Sequence, residues 1–313
     1  MASLAAADGP VQAGILPAQR RRGLSDKQIL WLFVAPTLIL LILWNIFPLF
    51  YSLYLSFTDF SAVAGQPPKW IGIDNYRDIL GDPQLWKYFA TTGRYTLMAV
   101  SLEAVVGFGL ALLLREKFRG SGLLTTLILI PMMLSPVVVG LFWKLIYNPN
   151  YGIFNYLIGF GPGKGPDWLA QPGTALWSVV IVDVWMWAPF VMLLCLSGLN
   201  AIPEYLYEAA VIDRASSWFR FWRITLPQVA PLLLIAILFR TIEAFKAFDL
   251  VMGLTGGGPG DATELVSVSL YRIAFLGQFD TGRASALAYI VLIIIIAVSN
   301  LYIRSLNRVR GEG

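Results

Sequence analysis

Residues 208–231 read EAAVIDRASSWFRFWRITLPQVAP, a polar stretch set between two strongly apolar runs. Glu208, Ala209 and Ala210 are good helix formers, Asp213-Arg214 interrupts them, and Ala215-Ser216-Ser217 opens a second helical run that is expected to end at Pro227. In that run Trp218, Phe221 and Trp222 recur at i, i+3 and i+4 and share one face, while Arg220 and Arg223 share another. The pattern admits two readings. One is an amphipathic helix lying on lipid headgroups; the other is a pair of short helices that docks to a soluble partner.

The composition around the stretch identifies the solvent. With 57% hydrophobic and 13% charged residues and a mean hydropathy of +0.68 over 313 residues, the chain carries about half the charge of a soluble domain, where roughly 25% is usual. A net charge of +4 would suggest nucleic acid in a soluble protein. Here the basic residues lie between apolar runs, where they set membrane topology, and no nucleic-acid partner is expected. Cys195 is the lone cysteine and excludes an intrachain disulfide. The absence of histidine removes His-based metal sites and His-dependent bases, so neither a metal site nor a catalytic residue is expected.

Six apolar runs are long enough to span a bilayer, at about 30–55, 96–114, 123–147, 175–199, 229–248 and 284–301. Residues 1–27 read as a disordered cytosolic tail. They are followed by an uncleaved anchor, because the next run is too long for a signal peptide and lacks a small-residue cleavage pattern. Residues 28–310 form the transmembrane domain, 200–228 a cytosolic loop, and 311–313 a short tail. Thirteen basic residues, among them Arg20–Arg22, Arg115, Lys117, Arg119 and Arg304, fall on the side of the amino terminus and seven on the other. That bias predicts an all-α membrane protein of six transmembrane helices with both termini and the 208–231 stretch in the cytosol. Glu103, inside the second run, is expected to face the protein interior.

The 208–231 stretch resembles the EAA loop of permease subunits in ATP-binding-cassette (ABC) importers: Glu208, Ala209, Ala210, Asp213, Ala215, Phe221, Ile224, Leu226 and Pro227 stand in register with the family pattern. Arg214 stands where the family has Gly, and since Gly alone takes a positive φ freely, a turn that is looser or shifted by one residue is expected. Leu254-Thr255-Gly256-Gly257-Gly258-Pro259, with Thr263, Leu265 and Tyr271, looks like the outer signature of carbohydrate-importing permeases. Gly72-Ile73-Asp74-Asn75-Tyr76 and Ile202-Pro203 are similar to that group as well. The resemblance covers 30–310 and implies that Glu208, Ala209, Ala210, Asp213, Arg214, Ala215, Phe221 and Pro227 couple the chain to an ATPase cleft. It implies a second homologous permease subunit, commonly forming a heterodimer, two ABC ATPase subunits, an extracytoplasmic solute-binding protein, and a multi-pass place in the bacterial inner membrane.

Asp183, Trp187 and Phe190 lie at i, i+4 and i+7 of the fourth run, and Arg240, Ala244 and Ala247 repeat that spacing on the fifth, with Glu243 adjacent. In the maltose-type importers that the chain resembles, sugar contacts come from the spans flanking the EAA loop, which implies that these seven residues line the substrate path. Their chemistry suits a sugar: charged groups bond hydroxyls and Trp187 offers an apolar face. Two alternatives stand beside it. Arg240 pairs with Asp183 or Glu243 as a structural bridge, or it receives an anionic sugar derivative or polyol phosphate.

No P-loop spacing occurs, since Gly161-Pro162-Gly163-Lys164 lacks it. The chain is therefore expected to bind no cofactor and to be no enzyme itself, with ATP and Mg used by the partner ATPase. An ion-coupled secondary transporter would favour paired inverted halves, and none is visible. An intramembrane enzyme would need a recognisable acid pair or dyad, and none is found.

Overall fold

The computed structural model describes residues 25–116, 118–160, 163–277 and 279–310. The expected tails at 1–24 and 311–313, with Arg20–Arg22, and also Lys117 and Gly161-Pro162, lie outside the described residues. The chain divides into two units at Tyr51/Ser52.

In the first unit, Ser25 opens α1 (Asp26–Leu41) with a capping box, its Oγ accepting the Gln28 amide while the Gln28 side chain accepts the Ser25 amide. A π-helical turn at Ile42–Ile46 joins α1 to α2 (Phe47–Leu55), which runs on into the second unit. Pro48 follows that turn. Its ring would crowd the carbonyl four residues back, and the wider turn accommodates it without ending the helix.

The second unit continues with α3 (Asp74–Gly81), α4 (Pro83–Leu114), α5 (Ser121–Leu129), α6 (Pro136–Ile146), α7 (Ile153–Leu157) and α8 (Pro172–Asn200). Then come α9 (Tyr205–Ile212), α10 (Ser217–Arg220), α11 (Leu226–Phe245), α12 (Asp249–Leu254), α13 (Val266–Phe275) and α14 (Thr281–Arg310). Among the described residues β-pairing is confined to the isolated bridges Thr58–Trp70 and Ser61–Asp280. Among the described residues five helices are long and apolar enough to cross a membrane: Lys27–Leu55, Pro83–Leu114, Pro172–Asn200, Ser217–Phe245 and Thr281–Arg308.

Two segments differ from the sequence reading. The third apolar run is not one helix: α5 stops, a 3-10 turn covers Pro131–Met133, and α6 restarts behind Ser135. Pro131 and Pro136 each lack the N–H that a continuous helix needs, and Ser135, before Pro136, is extended. Conversely, the second helical run of the 208–231 stretch does not end at Pro227. A π-helical turn at Phe221–Thr225 absorbs that proline, and helix continues from Ser217 to Phe245.

Helix α4 packs closely against α8. A Cβ on Gly107 would fall 2.6 Å from the Ala188 carbonyl oxygen and from Val191 Cβ, so only glycine lets the helices meet. Around the contact, Ala111, Val191, Met192, Cys195, Leu199 and Val229 form one buried cluster. Tyr95, Val179, Met186, Val251, Leu254 and Leu265 form another. Helices α6 and α12 cross where a Cβ on Gly140 would reach 3.0 Å from the Leu250 carbonyl oxygen.

The loop signatures are fasteners. Asn75 Nδ2 donates to the carbonyls of Ser56 and Thr58 at 3.0 and 2.9 Å, and Tyr76 meets Ser56 Oγ at 2.8 Å. In the glycine-rich loop Gly256 and Gly257 hold positive φ. Thr263 Oγ1 donates to the Gly258 carbonyl at 2.8 Å and lies 2.7 Å from Thr255 Oγ1, and Arg272 bonds the Gly256 carbonyl at 2.6 Å.

Candidate functional site

Two places bring the expected residues together. The first is the connection between α8 and α11. Helix α9 carries Glu208, Ala209 and Ala210, and its end is closed by two hydrogen bonds, Ala215 N–H to the Ala210 carbonyl at 2.8 Å and Arg214 N–H to the Val211 carbonyl at 3.0 Å. These are the two bonds of a Schellman cap, whose left-handed residue is usually glycine. Arg214 occupies it with φ of +52°. The expected looser or shifted turn is therefore corrected: the cap keeps its register and Arg214 itself takes the unfavourable conformation, because both capping bonds require it. Ser216 Oγ then accepts the Phe219 amide and starts α10.

Of the eight coupling candidates, Glu208, Ala209, Asp213, Arg214 and Pro227 are exposed, Ala215 and Phe221 are half-buried, and Ala210 is buried. Ala210 therefore seats α9 on its support. Phe221 packs at a tilt against Phe108 of α4, ring centres 6.0 Å apart. Sequence reading missed the groups that hold α9 in place. The Arg115 guanidinium sits 4.3 Å above the Tyr207 ring, and the Tyr207 hydroxyl lies 2.9 Å from Thr225 Oγ1 in the π turn. It also missed Val211 and Ile212, which stand exposed beside Glu208.

The second place is a cavity of about 140 Å³ lined by Pro136, Asp183, Trp187, Arg240, Glu243, Ala244, Lys246, Ala247, Phe248, Asp249 and Leu250. It gathers six of the seven residues expected on the substrate path. The seventh, Phe190, packs instead against the buried cluster around Val191 and Met192, nearer the α9 end of α8.

Arg240 forms the cavity floor. Its Nε and Nη2 donate to Glu103 Oε2 and Oε1 at 2.7 and 2.9 Å, and Nη2 also donates to Asp183 Oδ2 at 2.9 Å. All three side chains are at most 5% exposed. The Arg240 guanidinium carbon lies 4.7 Å from the centre of the Trp187 ring. A buried guanidinium needs such partners, and a bidentate carboxylate matches its fork. Arg240 is thus a structural bridge to Asp183 and, across helices, to Glu103. It does not bridge to Glu243, which pairs with Lys246 at 2.9 Å at the exposed rim. The interior orientation expected of Glu103 holds, while its partner, 137 positions away, carries no local signal.

Residues 103–310 match the family model described as binding-protein-dependent transport system inner membrane component. A probable ABC transporter permease protein, y4oQ, of Sinorhizobium fredii is 39% identical over 290 residues, covering 92% of this chain and 93% of that one. The trehalose/maltose transport system permease protein MalF of Thermococcus litoralis is 35% identical, covering 89% of this chain and 94% of its own. Among solved structures, a bacterial ABC transporter involved in the import of the acidic polysaccharide alginate superposes with a TM-score of 0.75 at 21% identity, covering 90% of this chain and 95% of that chain.

Proposed function

Because the chain belongs to the inner-membrane components of binding-protein-dependent transport systems, we propose that it is the permease subunit of an ABC importer for a neutral sugar or oligosaccharide. A second, homologous permease completes the path, two ATPase subunits supply ATP and Mg chemistry, and an extracytoplasmic binding protein delivers the solute. The chain itself binds no nucleotide. Both termini and α9 face the cytosol, on the strength of the basic-residue bias, in a bacterial inner membrane.

The observation that carries the solute class is the engagement of Arg240. Its hydrogen bonds are given to Glu103 and Asp183, which leaves the cavity with more carboxylates than cations and disfavours an anionic solute. Trp187 supplies an apolar ring face, and Glu243, Lys246 and Asp249 line the same cavity as polar groups for hydroxyls. The trehalose/maltose relative supports the same class. At about 140 Å³ the cavity is smaller than the roughly 300 Å³ from which ligand pockets usually start. That size suits half of a site whose other wall belongs to the second permease.

Coupling follows from the way α9 is held. Exposed Glu208, Ala209, Asp213 and Arg214 are available to a soluble ATPase, while Tyr207, Arg115 and Thr225 tie the helix to α4 and to the start of α11. Closure of the ATPases would move α9 and, with it, the wall of the cavity. The test is reconstitution in liposomes of this chain with its partner permease, ATPases and binding protein. ATP-dependent uptake of a neutral disaccharide by the full complex, and none by the chain alone, is expected. Uptake against a gradient by the isolated chain would overturn the proposal, and preferential uptake of a sugar phosphate would overturn the neutral-solute reading.

A further inference from the structure

At the end of α8 remote from α9, a cavity of about 320 Å³ opens between α4 and α8, lined in part by Lys87, Thr91 and Arg94 of α4 and by Gly173 and Trp177 of α8. We propose that it binds the anionic headgroup of a phospholipid. The inference rests on membrane residence alone and is independent of the solute.

Its level in the bilayer comes from α4. Between Arg94 and Arg115 the helix rises 1.5 Å per residue, or about 32 Å, close to the hydrocarbon thickness of about 30 Å. The one charge between them, Glu103, is turned inward onto Arg240. Arg94 and Arg115 therefore mark the two membrane boundaries. Trp177 stands near the level of Arg94, because α4 and α8 are tied in parallel register by Arg240, which bonds both Glu103 and Asp183. A half-exposed tryptophan at that depth is in the usual place for an interfacial anchor.

The charge balance selects an anion. Lys87 is occupied by Asp261 at 2.7 Å, which also accepts from Gln84, and these bonds hold the Asp261 carboxyl below its ordinary pKa. Arg94 is exposed and makes no hydrogen bond or ion pair with another described residue, so its guanidinium is the uncompensated charge of the cavity. A phosphodiester can take two parallel hydrogen bonds from it. Trp177 would cover the glycerol, and Leu97, 71% exposed and one turn deeper, offers a surface for an acyl chain.

The experiment uses the complete transport complex, washed in detergent, and mass spectrometry of the lipid it retains. The wild type should hold phosphatidylglycerol in preference to phosphatidylcholine. Arg94→Gln should lose most of the retained phosphatidylglycerol, and Arg94→Lys should lose part. Equal retention by Arg94→Gln and the wild type would overturn the proposal. So would unchanged lipid combined with weakened docking of the binding protein, which would assign the cavity to an acidic protein surface. Retention of soluble glycerol phosphate by the washed complex in place of phosphatidylglycerol would overturn the lipid as the source of the phosphate. Should Arg94→Gln fail to assemble, brominated phosphatidylglycerol and phosphatidylcholine are compared on the wild type and Trp177→Phe. Stronger quenching by the former that depends on Trp177 supports the site, and equal quenching overturns it.

Discussion

Arg240 and Glu103 meet through two hydrogen bonds, 2.7 and 2.9 Å long, that join α11 to α4 across 137 residues of chain. Removing Arg240 strands two buried carboxylates. Arg240→Ala should cost about 3–5 kcal/mol, and replacing Glu103, Asp183 and Arg240 together by leucine should restore most of that loss. Thermal unfolding of the purified complex measures both. An unchanged midpoint for Arg240→Ala would contradict the bridge.

The Schellman cap at Arg214 makes a prediction of opposite sign. A left-handed conformation costs a non-glycine residue about 1–2 kcal/mol, of which glycine gives back part through the greater freedom of its unfolded chain. Arg214→Gly should therefore be neutral or stabilise by about 0.5 kcal/mol, while Arg220→Gly, in an ordinary helical position, should cost about 1 kcal/mol. Parallel denaturation curves decide it; equal destabilisation by both would rule out strain at Arg214.

At the crossing of α4 and α8, Gly107→Ala should be damaging out of proportion to one methyl group. Its Cβ meets backbone of α8 as well as side chain, so the helices must separate, at a cost of about 1–3 kcal/mol. Gly109→Ala, with open space around its Cβ, should be neutral or stabilise by up to about 1 kcal/mol. Yield of folded protein in detergent compares the two.

Trp187 and Phe190 share a helical stripe in sequence but not a role in space. Trp187→Ala should raise the solute concentration needed for half-maximal uptake and also lower stability, because the ring packs against the cluster around Val179 and Met186 and lies over Arg240. Phe190→Ala should lower stability by about 3 kcal/mol or less, since the side chain is only partly buried. Transport and unfolding measured on both variants separate the cavity wall from the core.

For coupling, Glu208→Ala should lower ATP-driven uptake without weakening solute capture, and Tyr207→Phe should cost about 1 kcal/mol by removing the bond to Thr225. Uptake and ATPase activity of the reconstituted complex check the first, and unfolding the second. Full uptake by Glu208→Ala would count against a coupling role for α9.

What the sequence made legible is what short-range pattern encodes. Apolar runs placed the long helices, and Asp183, Trp187, Arg240 and Glu243 converged on one cavity because their spacing is helical and their spans are neighbours. Two kinds of fact were not legible. One is partnership at a distance: Glu103 could be turned inward by its charge, but nothing near it in the chain names Arg240. The other is how proline is accommodated. Pro131 and Pro136 break a helix, whereas Pro48 and Pro227 sit just beyond a π turn and do not. Pro36, Pro189 and Pro231 stay inside helices with no widened turn at them, so a proline's position in the periodicity does not report whether it ends a helix. Phe190 shows the same limit, since the depth of the cavity is set by packing of α11 on α8.

The continuity of helix from Ser217 to Phe245 has a mechanical meaning. At 1.5 Å per residue it is a rod of about 43 Å, with the docking segment at one end and Glu243 and the Arg240 bridge near the other. If such a rod pivots near one end, a tilt of about 5° carries the other end through roughly 4 Å, about the thickness of a sugar ring. Under the coupling proposed above, modest strokes at the α9 end would be geared up at the solute, and the π turn at Phe221–Thr225 is where that gearing would be lost to flexure.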